Sequence, residues 1–188
     1  MQWQWQANPV ASWYSLSERP GWLRLRSQPL PQGAVNLWPA PAVLLQKFPA
    51  PRFSATTSID VTGLLDGEIA GLVVMGLDYA FIGVRRVGSR TELVDTRVHD
   101  ADKETPERIN SGATVSGVVQ LRVHVGDPAI CQFEWSADGR TFSPVGESFP
   151  ARVGKWISAK VGLFAVAPVA STRHGHADFD YLRIINEP

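Results

Sequence analysis

The stretch from Cys131 to Phe149 limits the fold more than any other. An apolar-aromatic run ends at Ser136-Ala137-Asp138-Gly139, and a second run carries on to Phe149. Gly139 can take the positive φ that such a turn needs, and Asp138 can hydrogen-bond its own backbone, so the stretch reads as a β-hairpin. Side chains alternate along a strand, which puts Cys131, Phe133 and Trp135 on one face and Gln132, Glu134 and Ser136 on the other.

The same alternation recurs along the chain. Leu23 and Leu25 alternate with Trp22, Arg24 and Arg26 after the Pro20-Gly21 turn. Phe53, Ala55, Thr57 and Ile59 share one face, with Ser54, Thr56, Ser58 and Asp60 on the other. Val119, Leu121, Val123 and Val125 face inward between Gln120, Arg122 and His124. Further strands are expected at Val43–Phe48, on both sides of Gly76-Leu77-Asp78, at Glu92–His99, and in two closing runs around Gly162-Leu163-Phe164 and Asp178-Phe179-Asp180. Met1–Tyr14 reads as an edge strand or extended lead-in that lays Trp3 and Trp5 on one side. The four prolines between Pro29 and Pro41 forbid a regular ladder there. Asp100–Thr114 is the most polar stretch and reads as a solvated loop. With about a dozen strands and no helical period, the expected fold is all-β, two antiparallel sheets packed face to face.

The 188 residues suit one domain, 1–188, with 18 basic and 18 acidic side chains. A net charge of zero gives no bulk attraction to nucleic acid or anionic lipid, so neither is an expected partner. The lone Cys131 excludes an intramolecular disulfide and reads as a packing thiol. No run reaches the roughly 18 apolar residues of a membrane span, and the opening residues do not make a signal peptide. The expectation is a soluble chain, cytoplasmic as given. Seven Trp suit sugar faces but also fill sandwich cores, and most are assigned to packing.

Several motifs lie in a telling order. They are Trp3-Gln4-Trp5-Gln6 with Asn8-Pro9; Ser15-Leu16-Ser17-Glu18-Arg19-Pro20-Gly21 leading into Leu23-Arg24-Leu25; and Leu45-Gln46-Lys47. Asp66-Gly67 before Ala70-Gly71-Leu72, Tyr79–Gly83, Ser136–Phe142, Gly162-Leu163-Phe164 and Ala177-Asp178-Phe179-Asp180-Tyr181 complete the set. Together they resemble the C-terminal concanavalin-like module of family 43 glycoside hydrolases, the β-xylosidase and α-L-arabinofuranosidase group, also classed as a xylan-binding module. The resemblance implies a lectin-like jelly-roll sandwich that packs on a catalytic five-bladed propeller and helps wall its substrate pocket. No propeller fits within these residues. The chain is therefore expected to be non-catalytic by itself, binding xylan or xylo-oligosaccharide or completing a partner's pocket. The alternative is a free-standing lectin-like protein; a self-contained sandwich hydrolase is a distant third.

Sugar binding asks for an open aromatic face flanked by planar polar groups. Trp38 on its proline-stiffened loop and Tyr79 beside Asp78 meet the first condition; Gln46, Arg85, Gln132 and Glu134 are candidates for the second. For Arg85, Gln132 and Glu134 a solvated outer face is the competing explanation. Asp178 and Asp180, two apart, share a face if their strand is regular, as a structural calcium site, a carboxylate dyad or a plain hydrogen-bonding pair. His174 and His176 lack a third ligand nearby and read as a loop-end pair. The apolar start of the 165–175 loop marks it as the segment expected to reach a neighbouring domain.

Overall fold

The computed structural model describes residues 3–169 and 171–187. In chain order the strands are β1 (Gln4–Trp5), β2 (Tyr14–Ser15), β3 (Leu23–Arg26), β4 (Gln28–Pro29) and β5 (Leu44–Lys47). They continue with β6 (Phe53–Asp60), β7 (Ile69–Met75), β8 (Tyr79–Val87), β9 (Arg90–Val98) and β10 (Asn110–Val115). The last five are β11 (Val118–Gly126), β12 (Ile130–Ser136), β13 (Ser143–Pro150), β14 (Lys160–Ala167) and β15 (His176–Asn186). Among the described residues, helical structure amounts to two 3-10 turns, Ala11–Trp13 and Ala101–Lys103.

The first sheet runs β1, β5, β14, β7, β8, β9, β10, with β4 alongside β14; the second runs β13, β12, β11, β6, β15, β3, β2. Every pairing is antiparallel except that of β4 with β14. The alternating faces meet between the sheets as expected: Phe53 and Ile59 of β6, Leu121 and Val123 of β11 and Phe133 of β12 pack against Leu72, Ile82 and Leu163 of the first sheet. Each such side chain contributes roughly 1.5–3 kcal/mol by leaving water. The hairpin closes as predicted. Gly139 sits at φ 72°, its N–H donates to Ser136 Oγ, and Asp138 Oδ1 accepts from the N–H groups of Arg140 and Thr141.

Two segments depart from the sequence expectation. Strand β7 is buried on both faces, because the proline-rich segment folds back over the outside of the first sheet. Leu37, Ala40 and Val43 cover Val73, Met75, Tyr79, Phe81 and Phe164 there, making a second apolar layer. Within the polar stretch read as a loop, Asn110–Val115 becomes β10 on β9, with a register shift between Ser111 and Thr114. Its residues are exposed up to Thr114, so no apolar alternation announced it.

Candidate functional site

The predicted sugar-contacting residues do not converge. Tyr79 is fully buried; its hydroxyl donates to Glu107 and accepts the N–H of Leu37 at 2.9 Å, so its ring offers no open face. This corrects the expectation of a stacking platform, and the cause is the lid of residues 29–43. Trp38 is half-buried in that lid, its Nε1 donating to Gly76 O at 2.9 Å and the Lys155 ammonium standing 5.4 Å over its ring. Asp78 is buried too, and ties three loops together: it accepts from Asp100 N and Arg152 Nη1, each at 2.8 Å, and pairs with His99 Nδ1 at 3.0 Å. Gln46 is buried, and its Nε2 has no partner among the described residues.

Arg85 lies toward the far end of β8, paired with Glu92 at 2.5 Å and donating to Ser111 Oγ. Gln132 and Glu134 alternate with the buried residues of β12 and so lie on the outer face of the second sheet. There Glu134 sits 3.3 Å from His124 and 3.6 Å from Arg122. Cys131 is fully buried and burial pushes its thiol up to about 12, which leaves it a packing group.

On the closing strand Asp178 takes the hydrogen-bonding alternative, with arginines as its partners. Asp178 accepts from Arg24 Nε at 2.7 Å and Nη2 at 2.8 Å, and from Arg19 Nη1 at 3.1 Å. Arg19 also reaches Asp60 at 2.7 Å and lies 3.8 Å over the Trp22 ring. Asp180 is exposed at a register shift between Phe179 and Tyr181, so the regular face assumed for the pair is broken. Two guanidinium groups already meet the Asp178 charge, and no cluster of three acidic, His or Cys side chains suited to a metal occurs among the described residues. These residues do not fit a calcium ion. The arrangement also explains the Ser-Glu-Arg-Pro-Gly motif: Glu18 holds Arg24 and Arg26 while Arg19 holds the two aspartates.

The remaining candidate surface is apolar, and sequence reasoning found only its outline. The N-terminal segment crosses the open side of the sandwich, β1 joining the first sheet at β5 and β2 joining the second at β3. Trp5 anchors it, 5.6 Å from both Trp13 and Tyr14. Outward stand Trp3 (41% exposed), Val10 (49%), Tyr14 (38%) and Leu16 (67%). Two residues beyond Leu25, which faces Tyr14, Ser27 N donates to Gly175 O at the base of the 168–175 loop. That loop rests on Glu68, a buried carboxylate accepting from Ser27 Oγ (2.9 Å), Leu65 N (2.8 Å) and Gly175 N (2.7 Å). Residues 165–167, expected to open this loop, are instead buried at the end of β14; Val169 is outward, and Ala170 lies outside the described residues. His174 is exposed ahead of β15, while His176 is half-buried opposite Arg26. Trp156, 97% exposed beside Val153 on the 151–159 loop, was not singled out from sequence; a lone Trp near Gly and Lys carries no periodic signal.

Comparison with known proteins matches this geometry to one family. Residues 1–185 match the family described as the β-xylosidase C-terminal concanavalin A-like domain. A β-xylosidase of Formosa agariphila is 27% identical over 195 residues, covering 87% of this chain and 30% of that protein. A putative β-xylosidase of Xylanibacter ruminicola is 27% identical over 162 residues, covering 86% of this chain and 28% of its own length. In fold, a bifunctional GH43-CE protein of Bacteroides eggerthii is similar with a TM-score of 0.83 at 24% identity, over 99% of this chain and 24% of that one. The chain thus spans less than a third of the curated relatives it matches. With residues 1–185 matched and two largely antiparallel sheets, the chain belongs to the β-xylosidase C-terminal concanavalin A-like domain family.

Proposed function

We propose that the chain is the non-catalytic sandwich of a glycoside hydrolase, packing its N-terminal aromatic rim and the 168–175 loop against a family 43 propeller and thereby shaping the substrate pocket. One observation carries this reading: Trp3, Val10, Tyr14 and Leu16 stand exposed within 14 residues, on a segment made stiff by the Trp5–Trp13–Tyr14 cluster. Such concentration of exposed apolar area is characteristic of a surface that another protein covers. The acids support a non-catalytic role. Glycoside hydrolysis needs one carboxyl kept protonated near neutral pH. Asp60 and Asp178 instead meet on one arginine: burial acts to raise both, and hydrogen bonds hold them below the usual carboxylate range. Glu107 is raised by burial but shut in against Tyr79.

The test is to add the chain to a family 43 propeller produced without its own sandwich. We expect kcat/KM on an aryl β-xyloside to rise with added chain and to stay at the propeller's own value with Leu16→Asp. An equal rise with both would overturn the docking surface. A second reading, direct contact with xylan chains, is favoured by Trp156, whose ring is open as stacking requires. Calorimetric titration of xylo-oligosaccharides should then give saturable heat that disappears in Trp156→Ala.

A further inference from the structure

At the end of the first sheet opposite Asp78, the turn joining β8 to β9, the turn joining β10 to β11 and the residues after β6 enclose a depression of about 340 Å3. Arg86 and Arg90 line it together with the hydroxyl-bearing Thr62, Ser89, Thr91, Thr114 and Ser116, and no Asp or Glu is among the lining residues. Arg86 also lines a neighbouring depression of about 390 Å3, together with Arg173 and Asp66. Among the described residues neither Arg86, Arg90 nor Arg173 forms a salt bridge.

The nearby acids are already engaged. Glu92 is held by Arg85 and Ser111, with the charge of Arg90 also favouring its ionised form, Asp60 by Arg19 and Thr62, and Asp66 accepts the N–H of Gly88. Only one guanidinium nitrogen of Arg86 is used, Nε donating to Gly88 O at 2.8 Å, so its two terminal nitrogens keep their fork. A guanidinium fork matches a carboxylate in two parallel hydrogen bonds, and short hydroxyl side chains match sugar hydroxyls. We propose that this paired depression is a subsite for an acidic saccharide, a hexuronate-bearing oligosaccharide whose carboxylate lies on Arg86 and Arg90. The choice of a saccharide over a bare anion rests on the reading of the chain as part of a glycoside hydrolase and on the hydroxyl lining. That Arg86 and Arg90 line the depression rests on neither.

The test is calorimetric titration of the chain with three probes: a xylo-oligosaccharide bearing one hexuronate, the neutral oligosaccharide of equal length, and inorganic sulfate. We expect the acidic sugar to bind best, and Arg90→Ala and Arg86→Ala each to weaken it about fivefold. Binding should weaken further as ionic strength rises from about 0.01 M to about 1 M, where the screening length drops roughly tenfold. Arg85→Ala, outside the depression, should change little. Equal affinity for acidic and neutral sugar, or unchanged affinity in both variants, would overturn the site. Sulfate binding as tightly as the sugar would overturn the saccharide assignment. The rim variant Leu16→Asp should leave all three titrations unchanged, so failure here is separable from failure of propeller docking.

Discussion

Asp178 is 3% exposed and still ionised, which is possible because arginine follows it into the sheet edge. Burial acts to raise its pKa; the hydrogen bonds from Arg24 and Arg19 outweigh that and hold the carboxyl below its ordinary range. A carboxyl depressed in the folded state stabilises the fold above its unfolded pKa, and that contribution is lost as pH falls through the folded value. Melting temperature should therefore drop from about pH 4 downward. Asp178→Asn should melt lower at neutral pH and lose much of that acid slope. Arg24→Ala strands a buried charge and should cost about 3 kcal/mol in urea denaturation. A chelator should leave melting unchanged, since guanidinium rather than metal meets the charge; a drop on adding EDTA would contradict this. Tyr79→Phe removes the hydroxyl that links the Leu37 N–H to the Glu107 carboxyl and should cost about 1–3 kcal/mol. A loss under about 0.5 kcal/mol, the range of an ordinary surface change, would mean the lid is not held there. In the sequence Tyr79 follows Asp78 at a strand start and looks surface-facing. The proline segment that buries it begins about 50 positions earlier, beyond the reach of local periodicity.

At the scale of elements, β14 shows why Gly-Leu-Phe is spelled as it is. A Cβ on Gly162 would lie 2.0 Å from Leu44 O and 2.8 Å from Leu45 Cα, both backbone atoms of β5. Gly162→Ala must push β5 aside and should cost about 2–3 kcal/mol, measured by thermal or urea unfolding. Gly126→Ala is the control: its nearest neighbour would stand at 3.9 Å, and stability should change by less than about 0.5 kcal/mol. Strands with one dry face were legible because alternation is enforced along them, as in β6 and β11. The hairpin was legible because Asp138 and Gly139 are what its turn requires. Strand β10 was not, since Asn110, Ser111 and Gly112 bury nothing and its pairing on β9 slips midway. The Asp178–Asp180 spacing misled for a related reason: a register shift breaks the two-residue period on which shared faces depend.

For the whole molecule, two sheets with a filled interior and a lid over one outer face leave few ways for this chain to meet a partner. Fold and family were readable because the motif residues are mostly structural: Glu18, Arg19, Arg24 and Asp178 form one clamp, and Gly162 admits a neighbouring strand. The site was less readable because exposure is a tertiary property. Trp38 and Trp156 look alike in the chain, yet one donates to Gly76 inside the lid and the other stands in solvent. The account's central claim is that the N-terminal rim and the 168–175 loop form the face covered by a propeller. Backbone hydrogen exchange of the chain, alone and in the presence of a family 43 propeller lacking its own sandwich, tests it most directly. The account predicts slowed exchange at residues 3–16 and 168–175, with no change on the outer face of the second sheet around Gln132 and Glu134. Protection confined to that outer face, or none at the rim in a complex that forms, would contradict it.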